Sequence, residues 1–461
     1  MNSDINTPSK KAPTIPGLPI LGHWPAIQIW PIPMMMKGAA LGPVSTMKAF
    51  GYNMYLVNDP EGVKHVLVKN AANYSRKTRT FARLSQVLGN GILISEGEYW
   101  RKNRRIVQPA FHKKHMLRVA EITESVTRAR FSTWTEATKT GSPVDYFKEM
   151  TRITMSVISQ TMFGTSVEGE ADKVTQSIDK IMHLLDAGRG PLGKVLNRMK
   201  PQSEQFDTLL SKLDTVVMGM IAQRRKEEKP RNDLLDELIR TQDEEEGYCM
   251  NDQQIRDEVM TVFLAGHDTT AALLTWTLLL LAKNPKCKEK LRREIEEVCI
   301  DRPPNLENLS LLPYLNLVLQ ESLRLYPPIW LMGRKATEDD VVCGVKIPKG
   351  ASVSISPYAL HRNPDLYTDP EKFWPERFEQ NEPRGEKRYA FIPFGAGQRL
   401  CIGREFAFLE ASIVLALILK NYDFRLADDF QLKLHPSITL RPKNSVGMRL
   451  TKHSKKENKP T

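Results

Sequence analysis

Phe394, Gly397, Arg399, Cys401 and Gly403 stand at fixed spacing in the run Phe394-Gly395-Ala396-Gly397-Gln398-Arg399-Leu400-Cys401-Ile402-Gly403. Together they offer one thiolate in a glycine-shaped loop. A soft anionic sulfur with the opposite face left open is how a protein holds haem iron for oxygen activation. Glycine at 397 and 403 permits backbone conformations that a Cβ would forbid. The turn can then aim N–H groups at the sulfur and tune the metal. Arg399 is placed for a charge-assisted contact with a haem propionate, and Phe394 is expected beside the sulfur, excluding water. Residues 405–420 have helical apolar spacing, so the thiol stands just ahead of a buried helix.

A second constellation is Ala265-Gly266-His267-Asp268-Thr269-Thr270. Glycine followed by threonines, whose hydroxyls compete for helix carbonyls, predicts a widened turn with room for dioxygen and a water. Splitting dioxygen takes protons, and Asp268 and Thr269 are the carboxylate and hydroxyl that could carry them. Glu321 and Arg324 share one helix face at i, i+3. If exposed, such a pair contributes well under about 1 kcal/mol.

The elements that must position these groups are mostly helical. Apolar periodicity runs over 99–226, 251–283 and 285–298, with Asn251 and Gln254 as a helix start. Short strands are expected over 42–58, as a hairpin turning near Tyr52-Asn53, and again over 339–355 and 430–450. Asp59-Pro60 opens a helix. The expected fold is mainly α with small β-sheets (α+β). A tail and proline-rich lead-in (1–41) precede one domain (42–452), and a disordered tail follows (453–461). Residues 186–191 (DAGRGP) break two helices and are expected to form a lid.

Composition narrows the function. The chain has 461 residues, 41% hydrophobic and 26% charged, without repeats or linkers. Five scattered cysteines suggest no disulfide framework or zinc spacing and favour a reducing compartment. The net charge of +12 comes from interspersed charges without a nucleic-acid motif, so no nucleic-acid partner is expected. Prolines interrupt the apolar start, and Asp268 lies inside the longest apolar helix, so no transmembrane anchor is expected. The location expected is cytoplasmic. Arg101, Lys102, Arg105, Lys113 and Lys114 form a basic patch able to steer an acidic protein.

The pattern Phe-x-x-Gly-x-Arg-x-Cys-x-Gly resembles the haem-thiolate signature of the cytochrome P450 family, and Ala265–Thr270 is similar to that family's oxygen-activation motif. The resemblance spans roughly residues 42–451 and implies the cytochrome P450 fold, with haem between a long distal helix and the cysteine loop. It implies heme b, O2 as co-substrate, Cys401 as iron ligand, and Ala265 beside the cofactor. Trp100 and Arg104 are implied as propionate holders. Glu321, Arg324 and Arg377, the last from Pro375-Glu376-Arg377-Phe378, are implied as a buried ion network. The substrate pocket implied by position comprises Phe81, Leu84, Val87, Leu88, Leu264, Ile329, Trp330, Leu331, Met332, Ile438 and Thr439. That apolar set points to an apolar small molecule such as a fatty acid, terpenoid or polyketide-like compound. NAD(P)H-derived electrons are implied to come through a ferredoxin, flavodoxin or reductase docking on the basic patch, no reductase being fused here. The alternatives are a peroxide-driven or rearranging haem-thiolate enzyme and a non-catalytic haem sensor.

Overall fold

The computed structural model describes residues 11–18, 21–49, 52–164, 180–181, 184, 202–231, 233–241, 247–300, 304–305, 307–379 and 385–453. The expected lid at 186–191 lies outside them.

Proline punctuates the start of the chain. Helices α1 (Trp24–Ile29) and α2 (Pro31–Ala39) each carry proline in the first two positions, where a missing N–H costs nothing. Strands β1 (Val44–Ala49) and β2 (Tyr52–Val57) then pair antiparallel with Ala49 opposite Tyr52. Tyr52 and Asn53, expected near the turn, are the first two residues of β2. Asp59 caps α3 (Pro60–Lys64) by accepting from the N–H groups of Glu61 (2.9 Å) and Gly62 (3.1 Å).

The body is helical: α4 (Arg79–Leu88), α5 (Gly97–Val107), α6 (Met116–Thr140), α7 (Tyr146–Phe163), α8 (Gln202–Arg225), α9 (Leu234–Arg240), α10 (Asp252–Lys283), α11 (Pro285–Val298), α12 (Pro313–Leu325), α13 (Pro357–Leu360) and α14 (Arg404–Asn421). Asn251 and Gln254 exchange side-chain and backbone hydrogen bonds of 2.9 Å, a capping box that starts α10 where expected. Helix α10 is buried nearly all round and packs against α7, α12 and α14, so it is the central beam of the core. No helix among the described residues is long and apolar enough to cross a membrane.

The sheets are small, as expected. Strands β3 (Tyr74–Ser75), β5 (Met332–Ala336) and β8 (Ser352–Ile355) join the first hairpin in the order β1-β2-β8-β5-β3, with β2 and β8 parallel. Strands β4 (Val144–Asp145), β9 (Tyr422–Leu426) and β12 (Gly447–Lys452) form a second sheet, ordered β4-β12-β9. Strand pairs β6 (Asp340–Val342) with β7 (Val345–Ile347), and β10 (Leu434–Pro436) with β11 (Leu440–Pro442), make separate hairpins.

Candidate active site

The thiol loop is built by close backbone approach. Gly397 adopts φ +68°, and a Cβ there would lie 2.2 Å from the Leu67 carbonyl oxygen. Gly395 adopts φ +76°. Gly403 differs from expectation: its φ of −90° suits any residue, and a Cβ would meet only Phe111 at 3.7 Å. What Gly403 contributes is its N–H, hydrogen-bonded to the thiol. The Cys401 N–H donates to the Phe394 carbonyl at 3.0 Å and closes the loop. The Phe394 ring packs against Phe408, centroids 5.7 Å apart. Cys401 itself is exposed, immediately before α14. Burial among protein atoms still raises its pKa, outweighing the Gly403 N–H and the guanidiniums of Arg104 and Arg404, which pull it down. A bound cation supplies what this site lacks to hold a thiolate.

Beside the loop lies a cluster of arginines. Arg399 donates to the carbonyls of Ile92 (3.3 Å) and Ser95 (2.8 Å), and its guanidinium sits 3.9 Å from the Trp100 ring centre. Arg76 donates to the Leu93 carbonyl at 2.8 Å, while its buried Nε has no partner among the described residues. Arg334, on β5, donates to the Gly333 carbonyl at 2.9 Å. Burial lowers the pKa of Arg334 and Arg399 to about 10 and that of Arg76 well below the usual arginine range. Repulsion from neighbouring arginines adds to the drop at Arg76 and Arg399, and Glu96 is the one carboxylate opposing it among the described residues. Such under-neutralised guanidiniums fit an anionic ligand with more than one carboxylate. Arg104, expected beside Trp100 on a propionate, donates here to the Leu400 carbonyl (3.2 Å) and so lies against the thiol loop. Sequence reasoning missed Arg76 and Arg334. Neither has a spacing signal, and only the β3–β5 pairing brings their segments together.

The oxygen-side helix corrects another expectation. Helix α10 runs unbroken through 265–270 instead of widening. The Thr269 hydroxyl donates to the Ala265 carbonyl (2.7 Å), Thr270 to Gly266 (3.1 Å), and Thr154 from α7 to His267 (2.9 Å). These hydroxyls add to the helical ladder without opening it. Gly266 serves packing, since a Cβ there would meet Ile158 Cδ1 at 2.8 Å. Ala265 is exposed and Thr269 half-buried, although Leu264, Asp268 and Thr270 around them are buried. Asp268 points elsewhere: Arg441 Nη2 lies 2.6 Å from one carboxylate oxygen, and the Thr439 hydroxyl donates to the other at 2.5 Å. Arg441 Nε also donates to Thr439 (3.1 Å). Thr439, expected as pocket lining, is therefore buried as a partner of Asp268.

Of the other pocket candidates, Leu84, Val87, Leu88, Leu264 and Trp330 lie in the apolar core. Phe81, Ile329, Leu331, Met332 and Ile438 are only half-buried and remain available to a cavity. Glu321, Arg324 and Arg377 are fully buried together. Arg324 is bidentate on Glu321 (2.7 and 2.8 Å), and Arg377 reaches the same carboxylate at 3.1 Å. The remaining guanidinium protons go to the carbonyls of His361, Thr368, Asp369, Pro370 and Lys372. Of the basic patch, Arg101, Lys113 and Lys114 are exposed and Lys102 and Arg105 half-buried. Arg101 pairs with Glu98 (2.7 Å) and Lys114 with Glu237 (3.6 Å).

An accessible thiol, an uncharged strip on the central helix and surplus guanidiniums, buried at Arg334 and half-buried at Arg76 and Arg399, match the three parts of an iron porphyrin: metal, ring and propionates. A family model described as Cytochrome P450 matches residues 13–447. The chain is 33% identical to cyclooctatin synthase and 32% identical to cyclooctat-9-en-7-ol 5-monooxygenase, both of Streptomyces melanosporofaciens. These alignments cover 92% and 89% of this chain and the same shares of the relatives. It is 28% identical to pentalenene oxygenase of Streptomyces avermitilis, over 95% of this chain and 97% of the relative. The crystal structure of the cytochrome P450DA heme domain superposes with a TM-score of 0.89 at 26% identity, covering 97% of this chain and 99% of that one. The chain therefore belongs to the cytochrome P450 family and is a haem- and O2-dependent monooxygenase.

Proposed function

We propose that the enzyme inserts one oxygen atom into an apolar terpenoid, using NAD(P)H-derived electrons delivered by a separate ferredoxin, flavodoxin or reductase. The half-buried apolar set Phe81, Ile329, Leu331, Met332 and Ile438 carries the substrate reading. Burying apolar area favours a hydrocarbon by about 25 cal/mol per Å², whereas a charged substrate would find no described counter-ion among those five side chains. The relatives named for cyclooctat-9-en-7-ol and pentalenene favour the terpenoid over a fatty acid or a polyketide-like molecule.

When bound, the haem supplies an iron at which dioxygen is reduced and split, electron donation from the thiolate favouring O–O cleavage. Cys401 would ligate the iron, with the Gly403 N–H moderating its basicity. Arg76, Arg334 and Arg399 would hold the propionates. Thr269 can hand on a proton only after turning from the Ala265 carbonyl. Asp268 is kept on the far side of that turn by Arg441 and Thr439, buried away from bulk water. Exposed Arg101, Lys113 and Lys114 offer an acidic carrier long-range attraction.

The test is a titration of the reconstituted enzyme with pentalenene-type hydrocarbons, fatty acids and macrolides, read as the substrate-induced spin-state change of the haem spectrum. Micromolar responses confined to the hydrocarbons are expected. A response confined to fatty acids or macrolides would overturn the substrate class.

A further inference from the structure

Glu258 is a fully buried carboxyl group on α10 that the chemistry above leaves unused. Its two oxygens hold different elements. Oε2 accepts from the Ile92 N–H at 2.9 Å, and Oε1 accepts from Asn103 Nδ2 at 2.7 Å. Ile92 lies between α4 and α5, and Asn103 lies on α5. Both arms end beside Arg399. The Ile92 carbonyl accepts from Arg399 Nη1 (3.3 Å), and the Ser95 carbonyl accepts from Nη2 (2.8 Å). Trp100, whose ring centre lies 3.9 Å from the same guanidinium, shares a face of α5 with Asn103 at i, i+3. One carboxyl group therefore fixes both the peptide and the ring that Arg399 touches. The seat is close as well. A Cβ at Gly91 would lie 2.2 Å from Thr261 Oγ1 and 2.6 Å from the Asp257 carbonyl oxygen, and the Asn90 N–H donates to Asp257 at 2.8 Å. The segment 90–92 thus rests directly on α10, with little room to shift.

We infer that Glu258 is a positioning residue, setting where Arg399 stands and, through Arg399, the positive charge presented to a bound haem. Convergence separates this role from a tie that serves stability alone: both arms end on partners of one guanidinium. The group does not have to be ionised to work. Asn103 Oδ1 is buried without a partner among the described residues. A turned Asn103 amide can therefore accept from a protonated acid or from a glutamine, while the remaining oxygen still holds Ile92. The inference rests on the reading of Arg399 as a propionate holder, and not on the proposed substrate or electron donor.

The test uses the holoenzyme without substrate. Glu258→Leu removes both arms, so amide exchange over 89–95 should speed by about tenfold. A guanidinium held near the haem favours the reduced state by simple attraction, so the ferric–ferrous equilibrium against a reference dye should shift toward ferric by about fivefold. Glu258→Gln should keep both readouts within about twofold of wild type. Asn103→Leu cuts only the α5 arm and should give part of the equilibrium shift, and it decides the matter if Glu258→Leu does not fold. Arg399→Gln alone should move the equilibrium in the same direction, and adding Glu258→Leu should move it little further, since both act through one group. Fully additive shifts, Glu258→Gln behaving like Glu258→Leu, or an equilibrium unmoved in both Glu258→Leu and Asn103→Leu overturns the inference while Arg399→Gln still shifts. An equilibrium unmoved by Arg399→Gln overturns the propionate reading itself, so the two failures are told apart.

Discussion

Arg441 governs the charge nearest the oxygen chemistry. Its guanidinium bridges Asp268 and Thr439 with a side chain only 12% exposed. Arg441→Ala would leave Asp268 buried without a cation, costing about 3 kcal/mol at the lower end for a broken buried pair. Turnover should fall at least about tenfold, as for loss of a proton-transfer group, with the spectrum of the reduced carbon-monoxide adduct preserved. Arg441→Lys should restore charge but not the fork to Thr439, giving partial recovery. A turnover unchanged in Arg441→Ala would remove Asp268 from the proton route. Cys401→Ser tests the other side: it should fold yet lose the red-shifted carbon-monoxide band, and retention of the band would acquit the thiol as ligand.

At the scale of elements, two glycines in one loop separate cleanly. Gly397→Ala forces a Cβ onto the Leu67 carbonyl at positive φ, and costs on the order of 2–4 kcal/mol. Gly403→Ala makes only an ordinary contact with the Phe111 ring at ordinary φ and should cost under about 1 kcal/mol. Haem content after purification checks both: lost in the first, kept in the second. The segment between α4 and α5 is a strap of similar importance. Its N–H groups at Asn90 and Ile92 donate to Asp257 and Glu258 at the start of α10 (2.8 and 2.9 Å). Its carbonyls at Ile92, Leu93 and Ser95 receive Arg399 and Arg76. On the opposite side, Glu321→Ala would leave two buried guanidiniums without their carboxylate, and a loss of about 3–5 kcal/mol is expected. Chemical denaturation measures it, and a change below about 1 kcal/mol would show that the carbonyls alone satisfy the arginines.

Across the whole molecule, buried titratable groups set opposing pH limits. Burial, aided by Arg324 and Arg362, drops the His361 pKa from 6.5 to about 3. Below pH 6.5 the unfolded chain therefore binds this proton and the fold does not, so stability falls by about 1.4 kcal/mol per unit down to about pH 3. Glu258 has the opposite sign. Burial raises it from 4.5 to about 7, so acidifying through pH 7 to 4.5 adds stability at the same slope. Glu410, raised further, contributes in the same direction above pH 4.5. Denaturant midpoints should therefore peak near pH 5 and decline toward pH 3.5, and Glu258→Gln should flatten the rise between 7 and 5. A midpoint falling steadily from pH 7 in the wild type would contradict these assignments. Charge at the surface works differently: association with an acidic electron carrier through Arg101, Lys113 and Lys114 should weaken steeply with salt, and salt-independent docking would rule that face out.

Local chemistry was legible in the sequence wherever neighbours along the chain do the work. The thiol and its spacing, the capping box at Asn251 and Gln254, the Asp59 cap and the central apolar helix each depend on residues within about one or two turns of each other. Partnerships across long separations were not. Arg76 and Arg334 carry no periodic signal, yet β3 beside β5 joins their segments. Asp268 lies 171 positions along the chain from the hydroxyl that caps it, and nothing short-range announces Thr439 as its partner. Gly266 looked like a weak point in a helix, and only the position of Ile158 on a neighbouring helix makes it a contact point. Sequence determined which groups are present and which helix or loop carries each. Tertiary packing decided which of them are buried together, and burial is what turns an ordinary acid or base into a lock, an anchor or a proton carrier.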